Sequence, residues 1–550
     1  MVEYALLSAF TLTALIFIKN SHYRWTYLFA CALFLFFAGA VLALTGQWQR
    51  ALNFAALLFI ILMLFHRLKI HYYKQPFLIS DFFLITDWHN WETLLHYKGA
   101  LLAIAGLLGL LFYAIMGWQS AAPLSGIWQM VGGLVSIIAF TIMWHYSKNA
   151  DAIKTWLDSL PDDGRDVFLN LPMSCRGLFF KKPKHEGHPD YFLQKAQNIK
   201  AYPHASDKAT IVVWLQESTL DPINFTLKSY RFPPLSMYQN QPDTLFNAPL
   251  RVHTFGGATW KSEFAFLSGL PSTDFGAMSN AVFYSVTPHL KYSLIHNLKA
   301  QGYYCVALSP FTKGNYNAKS AYDHFGFDLM LQPQDLGYPA PMGKNLWDIG
   351  SDEMAIYAKK ILEKQDVPEE LANTDKPIFL YVLTMKEHGP YQRDFTDLYH
   401  LAENHFSPSL TGGLNDYIHR LVKLNEVIEE FNDYMKKQNS AYIFAYFGDH
   451  QVDICGEAVP KRIPYPQPNY ITQFTVRGNL VNVPTQQQDF LDLAQTGGLL
   501  LEIAGLPCDT FMQANIAMRK LSGGKLEDCA DEQLLNSYRS YLYHVLDITK

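Results

Sequence analysis

Cysteine is scarce. The chain has six, Cys31, Cys175, Cys305, Cys455, Cys508 and Cys529, and no C-x-x-C pair among them. That leaves no zinc ribbon and no dithiol redox motif. The six are too scattered to define a disulfide framework, although one or two bridges stay open if their domain is extracytoplasmic. Positive charge is also in short supply. The formal net charge is -5, and no basic stripe interleaves with aromatics, so the sequence carries no footprint of nucleic-acid binding. There is no internal repeat and no low-complexity tract. The apolar start of the chain lacks the basic n-region and the A-x-A-like site of a cleaved secretory signal.

What the chain does have is apolar length, concentrated at its beginning. Apolar segments recur at Tyr4–Ile18, Trp25–Leu44, Leu52–Phe65, Ala100–Trp118 and Ile127–Trp144. A helix crossing the hydrocarbon core needs about 20 apolar residues, with about 17 tolerated. The second, fourth and fifth segments meet that. The first and third reach it when their flanking Tyr and Trp sit at the interface. The pattern predicts a transmembrane helical domain over residues 1–147 with about five spans, a connector over 148–206 containing the exposed turn KKPKHEGHP, and a soluble domain over 207–550.

Orientation is contested within the sequence. Lys19 and Arg24 follow the first segment, Arg67, Lys69 and Lys74 the third, and Lys148 and Lys154 the fifth, while the loop QSAAPLSG carries no charge. Counting Lys and Arg places the large domain in the cytoplasm. Five spans from a cytoplasmic amino terminus place it outside. Arg67, Lys69 and Lys74 adjoin FLISDFFLITDWHNW, an interfacial amphipathic pattern whose basic residues can serve anionic lipid head groups instead of marking the cytoplasm.

From Lys208 the pattern changes. ATIVVWLQE, CVALSPF, PIFLYVLTMKEH and SAYIFAYFGDH are short continuous apolar runs, as expected of strands buried on both faces. Helix-like stretches separate them at Tyr292–Gln301, Glu353–Lys364, Leu414–Lys437 and Asp489–Ala504. Such alternation predicts an α/β domain with a mostly parallel sheet. Ligands of open α/β sheets bind outside the carboxyl ends of the strands. Glu217, His388, Asp449 and His450 stand at those ends. Each alone reads as a cap or a solvated loop residue, but four together point to a site. Two carboxylates, an imidazole and a hydroxyl suit a divalent ion, Zn²⁺ or Mn²⁺, with Mg²⁺ also admissible.

The hydroxyl is that of Thr259, in GGATWKSEF. Gly256 and Gly257 permit unusual backbone angles, and the helix that follows offers free N–H groups to an anion. Locally, a Thr in this place reads as a helix cap. Beside a metal held by Glu217, Asp449 and His450 it reads as a nucleophile, because an ion can depress the hydroxyl pKa and neutralise phosphate charge.

At these residues the chain resembles the alkaline phosphatase superfamily, and within it the sulfatase-like lipoteichoic acid synthase and phosphoglycerol transferase group. QES at Gln216–Ser218 resembles the first metal block, GGATWKSEFAFLSGLP the nucleophile block, KEHGPY the active-site histidine block with His388, and FGDH the Asp-His metal block. DLAQTGGLLLEIAGLP resembles a late helix of that group. The resemblance implies an alkaline-phosphatase-like catalytic domain, five spans and an extracytoplasmic location at a bacterial inner or plasma membrane. It also implies one Mn²⁺-like ion held by Glu217, Thr259, Asp449 and His450, a phospholipid donor, a cell-envelope glycan or lipid acceptor, and a phosphothreonine-type intermediate. His388 would contact phosphate or act as general acid.

One block departs from the group. Where lipoteichoic acid synthases carry Asp, Trp and Arg for glycerol phosphate, SPFTKGNYNAKSAYDHFGFD places Phe311, Tyr316 and Ala318. Lys313, Tyr316 and Asn317 are the substrate-binding candidates left there. The C/S-x-P-x-R context that a true sulfatase needs is missing, which argues against sulfate ester hydrolysis.

Overall fold

The computed structural model describes residues 24–73, 76–79, 81–82, 102, 105–110, 112–113, 126–159, 166–199, 208–226, 234–395, 406–454, 459, 461–480 and 489–550. The chain divides into two compact units. One comprises residues 1–179 with 276–281, the other 180–275 with 282–550.

Among the described residues of the first unit, three helices are long and apolar enough to cross a membrane: α1 (Arg24–Thr45), α2 (Trp48–Tyr73) and α3 (Gly126–Tyr146). They match the second, third and fifth predicted spans. The first predicted span, Tyr4–Ile18, lies outside the described residues. So does much of the fourth, Ala100–Trp118, which is helical at 102, 105–110 and 112–113. Helices α1 and α3 run antiparallel through a crossing made by small residues. A Cβ on Gly39 would stand 2.7 Å from the Gly132 carbonyl oxygen, and one on Gly132 would stand 2.6 Å from the Ala43 amide. Ser136 Oγ donates to the Phe36 carbonyl at 3.0 Å across the same contact. Lipid tails are as apolar as the side chains, so close packing and such bonds hold membrane helices together. Helices over residues 150–159 and 167–174 complete this unit. Phe168 stacks on Phe59 of α2 with centroids 4.3 Å apart.

The second unit is built on one eight-stranded sheet in the order β4-β3-β5-β1-β6-β7-β2-β8. The strands are β1 (Thr210–Gln216), β2 (Thr244–Arg251), β3 (Tyr304–Leu308), β4 (Leu329–Leu331), β5 (Ile378–Leu383), β6 (Tyr442–Gly448), β7 (Ile471–Gly478) and β8 (Leu491–Asp492). All neighbours pair in parallel except β7, which is antiparallel to both β6 and β2. The four strands predicted from apolar runs are β1, β3, β5 and β6, contiguous at the sheet centre and almost wholly buried. Continuous apolar runs mark two-sided burial, which is why these four were legible. The predicted helix over Asp489–Ala504 is divided: β8 and a 3₁₀ turn come first, and the helix proper is Thr496–Ile503. Four further helices matter for the site: α4 (Thr259–Ser268), α5 (Ala318–Phe325), α6 (Ser351–Glu363) and α7 (Pro408–Lys437). The turn KKPKHEGHP has no regular structure up to Pro189. The described cysteines, all but Cys455, are free.

Candidate active site

The centre of the sheet brings the site together. In register, Gln216 of β1 faces Gly448 of β6, so Glu217 and Asp449 leave adjacent strand ends side by side, with His450 next. One ligand atom from each of Glu217, Asp449 and His450 lies within 4.8 Å of the others, and all three residues are buried. His450 Nε2 is 3.2 Å from Glu217 Oε1 and 3.3 Å from Asp449 Oδ2. Asp449 Oδ1 accepts the backbone amides of Ser218 and His450, each at 2.8 Å. Its Oδ2 and His450 Nε2 are buried with no hydrogen-bond partner. Hydrogen bonding of His450 Nδ1 to the Gln451 carbonyl at 3.0 Å makes Nδ1 the protonated nitrogen and leaves the Nε2 lone pair for a ligand.

Two buried carboxylates and an imidazole with unused lone pairs fit a divalent cation. Their electrostatics say the same. Burial and the Glu217 charge push the Asp449 carboxyl up to about 7. Burial opposes charge on His450, but Asp449 and Glu217 together raise it to about 9. The cluster therefore draws in positive charge, and a bound ion would supply it in place of a proton.

Thr259 belongs to this cluster. Its hydroxyl donates to Glu217 Oε2 at 3.1 Å. It is not a cap: the N-cap position of α4 is Ala258, which has no side-chain cap bond. Thr259 is half-buried and open to a substrate. The loop before it is bent by consecutive positive φ angles at Gly256 (65°), Gly257 (150°) and Ala258 (66°). An alanine in the left-handed region carries strain of roughly 1–2 kcal/mol. Ser218 (φ 55°), Tyr316 (49°) and Asn317 (63°) are also left-handed, so strained backbone recurs in the segments that the sequence singled out. Ser262 Oγ donates to the Asp449 carbonyl at 2.6 Å and ties α4 to the metal strand.

His388 lies past the end of β5, close enough to interact electrostatically with Glu217. Its Nδ1 bonds the Gly389 carbonyl, which leaves Nε2 for substrate. The head-group candidates separate. Tyr316 stacks on Trp260, the residue after Thr259, with centroids 4.6 Å apart. Asn317 donates its side-chain amide to the Phe283 carbonyl at 3.0 Å. Lys313, about half exposed, stands 3.9 Å from Asp335.

Sequence reasoning missed several residues. Trp347 packs edge-on against Phe311 (4.8 Å) and lies 6.2 Å from the His388 ring. Arg420 of α7 donates to the carbonyls of Lys386 (2.9 Å), His388 (2.7 Å) and Pro390 (3.2 Å), and is itself held by Asp416. It is a positioning residue for the histidine turn, although in sequence Asp416–Arg420 reads only as a helical i,i+4 pair. Glu263, one turn along α4 from Thr259, accepts the Tyr322 hydroxyl of α5, and burial raises its carboxyl to about 8.

Comparison with known proteins gives a consistent result. The sulfatase family model matches residues 210–476. An uncharacterized protein of Haemophilus influenzae is 58% identical over 553 residues, covering 100% of each chain. A putative cyclic beta-1,2-glucan modification protein of Rhizobium meliloti is 25% identical over 252 residues, 44% of this chain and 36% of its own. Among solved structures, the Streptococcus pyogenes phosphoglycerol transferase GacH in complex with sn-glycerol-1-phosphate shares the fold. The TM-score is 0.52 at 17% identity, over 67% of this chain and 96% of that one.

Proposed function

We propose that the chain, whose residues 210–476 match the sulfatase family model, is a membrane-bound, metal-dependent phosphotransferase. In this reading it moves a phospho-head group from a membrane phospholipid to a cell-envelope glycan or lipid. The observation that carries the reading is the Thr259 hydroxyl, 3.1 Å from Glu217, inside the buried Glu217–Asp449–His450 set and outside any capping role.

Glu217, Thr259, Asp449 and His450 would hold one divalent ion, Mn²⁺ or Zn²⁺, with Mg²⁺ also admissible. When bound, such an ion supplies Lewis acidity and lowers the hydroxyl pKa. Thr259 Oγ attacks the lipid phosphorus and passes its proton to Glu217 Oε2, which it already bonds at 3.1 Å, as the new P–O bond forms; the proton returns to Thr259 when the phosphothreonine is resolved. The bond to diacylglycerol breaks, and His388 protonates the departing oxygen. The phosphothreonine then passes its head group to an acceptor hydroxyl, with His388 taking the acceptor's proton. The amino terminus of α4 offers backbone N–H groups to the phosphate oxygens. Arg420 keeps the histidine turn in place.

Phosphoglycerol is the head group placed first, because the order of the motif blocks resembles that transferase group. The stacked Trp260–Tyr316 pair favours a second reading, phosphoethanolamine, since aromatic faces attract a cationic head group. Lys313, Tyr316 and Asn317 are proposed to line that pocket, with His388. A phosphodiesterase or phosphatase would use the same residues with water as acceptor. Mass spectrometry of head-group transfer from phosphatidylglycerol and phosphatidylethanolamine, run side by side, decides between donors. Release of the head group to water alone would identify the hydrolase.

The catalytic domain is proposed to be extracytoplasmic, against the raw Lys and Arg count. The five-span reading with a cytoplasmic amino terminus supports this. Fusions of alkaline phosphatase and of a fluorescent protein after Lys550 test the orientation. A bright fluorescent fusion with an inactive phosphatase would sink it.

A further inference from the structure

We propose that Trp144, Lys148 and Arg176 form a clamp for the phosphate of an anionic membrane phospholipid at the carboxyl end of α3. The inference is independent of the catalytic reading.

The location is the membrane interface. Helix α3 ends at Tyr146, and Trp144 is exposed in its last turn. Trp25, at the start of α1, lies 6.0 Å from the Tyr146 ring. Two antiparallel span ends thus share a belt of Trp and Tyr, the side chains enriched where lipid head groups begin.

At this belt two cations converge on one indole. Lys148 Nζ lies 5.3 Å from the Trp144 centroid and the Arg176 guanidinium 5.5 Å. Cation–π attraction holds each beside the ring, but two positive charges gathered there repel one another. Neither has a carboxylate partner among the described residues. Asp151, the acid nearest Lys148 in sequence, accepts from Trp25 Nε1 at 2.9 Å. Arg176 is also pre-aimed. Its Nε donates to Ser147 Oγ at 2.9 Å, and Ser147 Oγ donates in turn to the Trp144 carbonyl at 2.9 Å. Ser147 is buried. This chain fixes the guanidinium against the end of α3 and leaves its terminal N–H groups unused. A fixed guanidinium and a lysine ammonium over an amphipathic ring match a phosphate group. In a span end facing lipid, the abundant phosphate is that of a phospholipid, and an anionic one offsets both charges.

The clamp also bears on orientation. Lys148 is one of the residues that the charge count would assign to the cytoplasm. A lysine occupied by a lipid phosphate no longer serves as that marker.

The test uses the full chain purified in detergent, with lipid retention read by native mass spectrometry. The probes are phosphatidylglycerol, phosphatidylcholine and glycerol 1-phosphate. Each basic residue near a membrane surface contributes about 1 kcal/mol toward anionic lipid, so the two together should favour phosphatidylglycerol over phosphatidylcholine by roughly 30-fold, converted at about 1.4 kcal/mol per tenfold. Lys148→Gln, at an exposed position, should cut that preference severalfold, and Lys148→Gln with Arg176→Gln should bring it near parity. Lys148→Arg should keep it. An unchanged preference in the Lys148→Gln protein overturns the clamp, even if the double variant fails to fold. Retention of glycerol 1-phosphate as strong as that of the lipid would also overturn the lipid assignment.

Discussion

The two sides of the active site differ in how their residues are employed. On the metal side, Glu217, Asp449, His450 and Thr259 meet within hydrogen-bonding range, and two of their atoms have no protein partner. On the head-group side, Asn317 is bonded to a carbonyl and Lys313 stands by Asp335, while Tyr316 lies over Trp260. The first side is organised for one reaction. The second is mostly aromatic, with its polar groups engaged elsewhere. The candidate metal ligands thus sit on strand ends that cannot move independently of the sheet. The head-group candidates sit on a loop and a short helix.

The sharpest way to break the comparison is Thr259→Ala. Turnover should fall by at least about 1000-fold, while stability changes by no more than about 1 kcal/mol because no cap is lost. Near-normal head-group transfer by this variant would remove Thr259 as nucleophile. Thr259→Ser should keep part of the activity. Next, Asp449→Asn and Glu217→Gln should each weaken metal retention by about tenfold or more, since an amide cannot replace a carboxylate's charge beside a divalent ion. Full occupancy in both variants by elemental analysis would place the ion elsewhere. On the other side, Tyr316→Ala should raise the donor KM severalfold with a smaller change in kcat. An equal fall in kcat would move Tyr316 into the chemistry. Lys313→Ala should have the least effect, under about threefold in KM, because a 3.9 Å pair on a half-exposed lysine is worth little.

A pH measurement joins the two sides through Glu263 and Tyr322. Burial raises Glu263 to about 8 in the fold, against about 4.3 in an unfolded chain. Between those values the folded protein keeps a proton that the unfolded chain releases. Stability therefore falls as pH rises, by up to about 1.4 kcal/mol per pH unit from this group, and levels off above about 8. Glu263→Gln should flatten the decline in Tm of the full chain between pH 5 and 8. Parallel curves for variant and parent would mean that Glu263 is already charged.

Much of the site was legible before folding. Glu217, Asp449 and His450 each follow a continuous apolar run, and such runs became β1 and β6, neighbours at the sheet centre. The strands that went unread are β2, β4, β7 and β8. β4 and β8 are three and two residues long. TLFNAPLR is half-buried, and ITQFTVRG, although almost wholly buried, interleaves polar residues, so neither offers an apolar run to mark it. Trp347 and Arg420 were invisible for a different reason. Each acts by touching the histidine turn from a distant part of the chain, and neither sits in a motif.

The sequence by itself determined the apolar segments, the α/β alternation and the candidate metal-ligand set, because hydrophobic length, two-sided burial and residue chemistry are local properties. Only the tertiary structure decided whether Thr259 caps its helix or joins the Glu217–Asp449–His450 cluster, because that depends on which oxygen its hydroxyl can reach. The answer is Glu217, 42 positions away in the chain. It likewise decided that Asn317 is engaged by a backbone carbonyl while Tyr316 stacks on Trp260. Alternate employments of neighbouring polar side chains are nearly equal in energy locally, and long-range contacts choose between them.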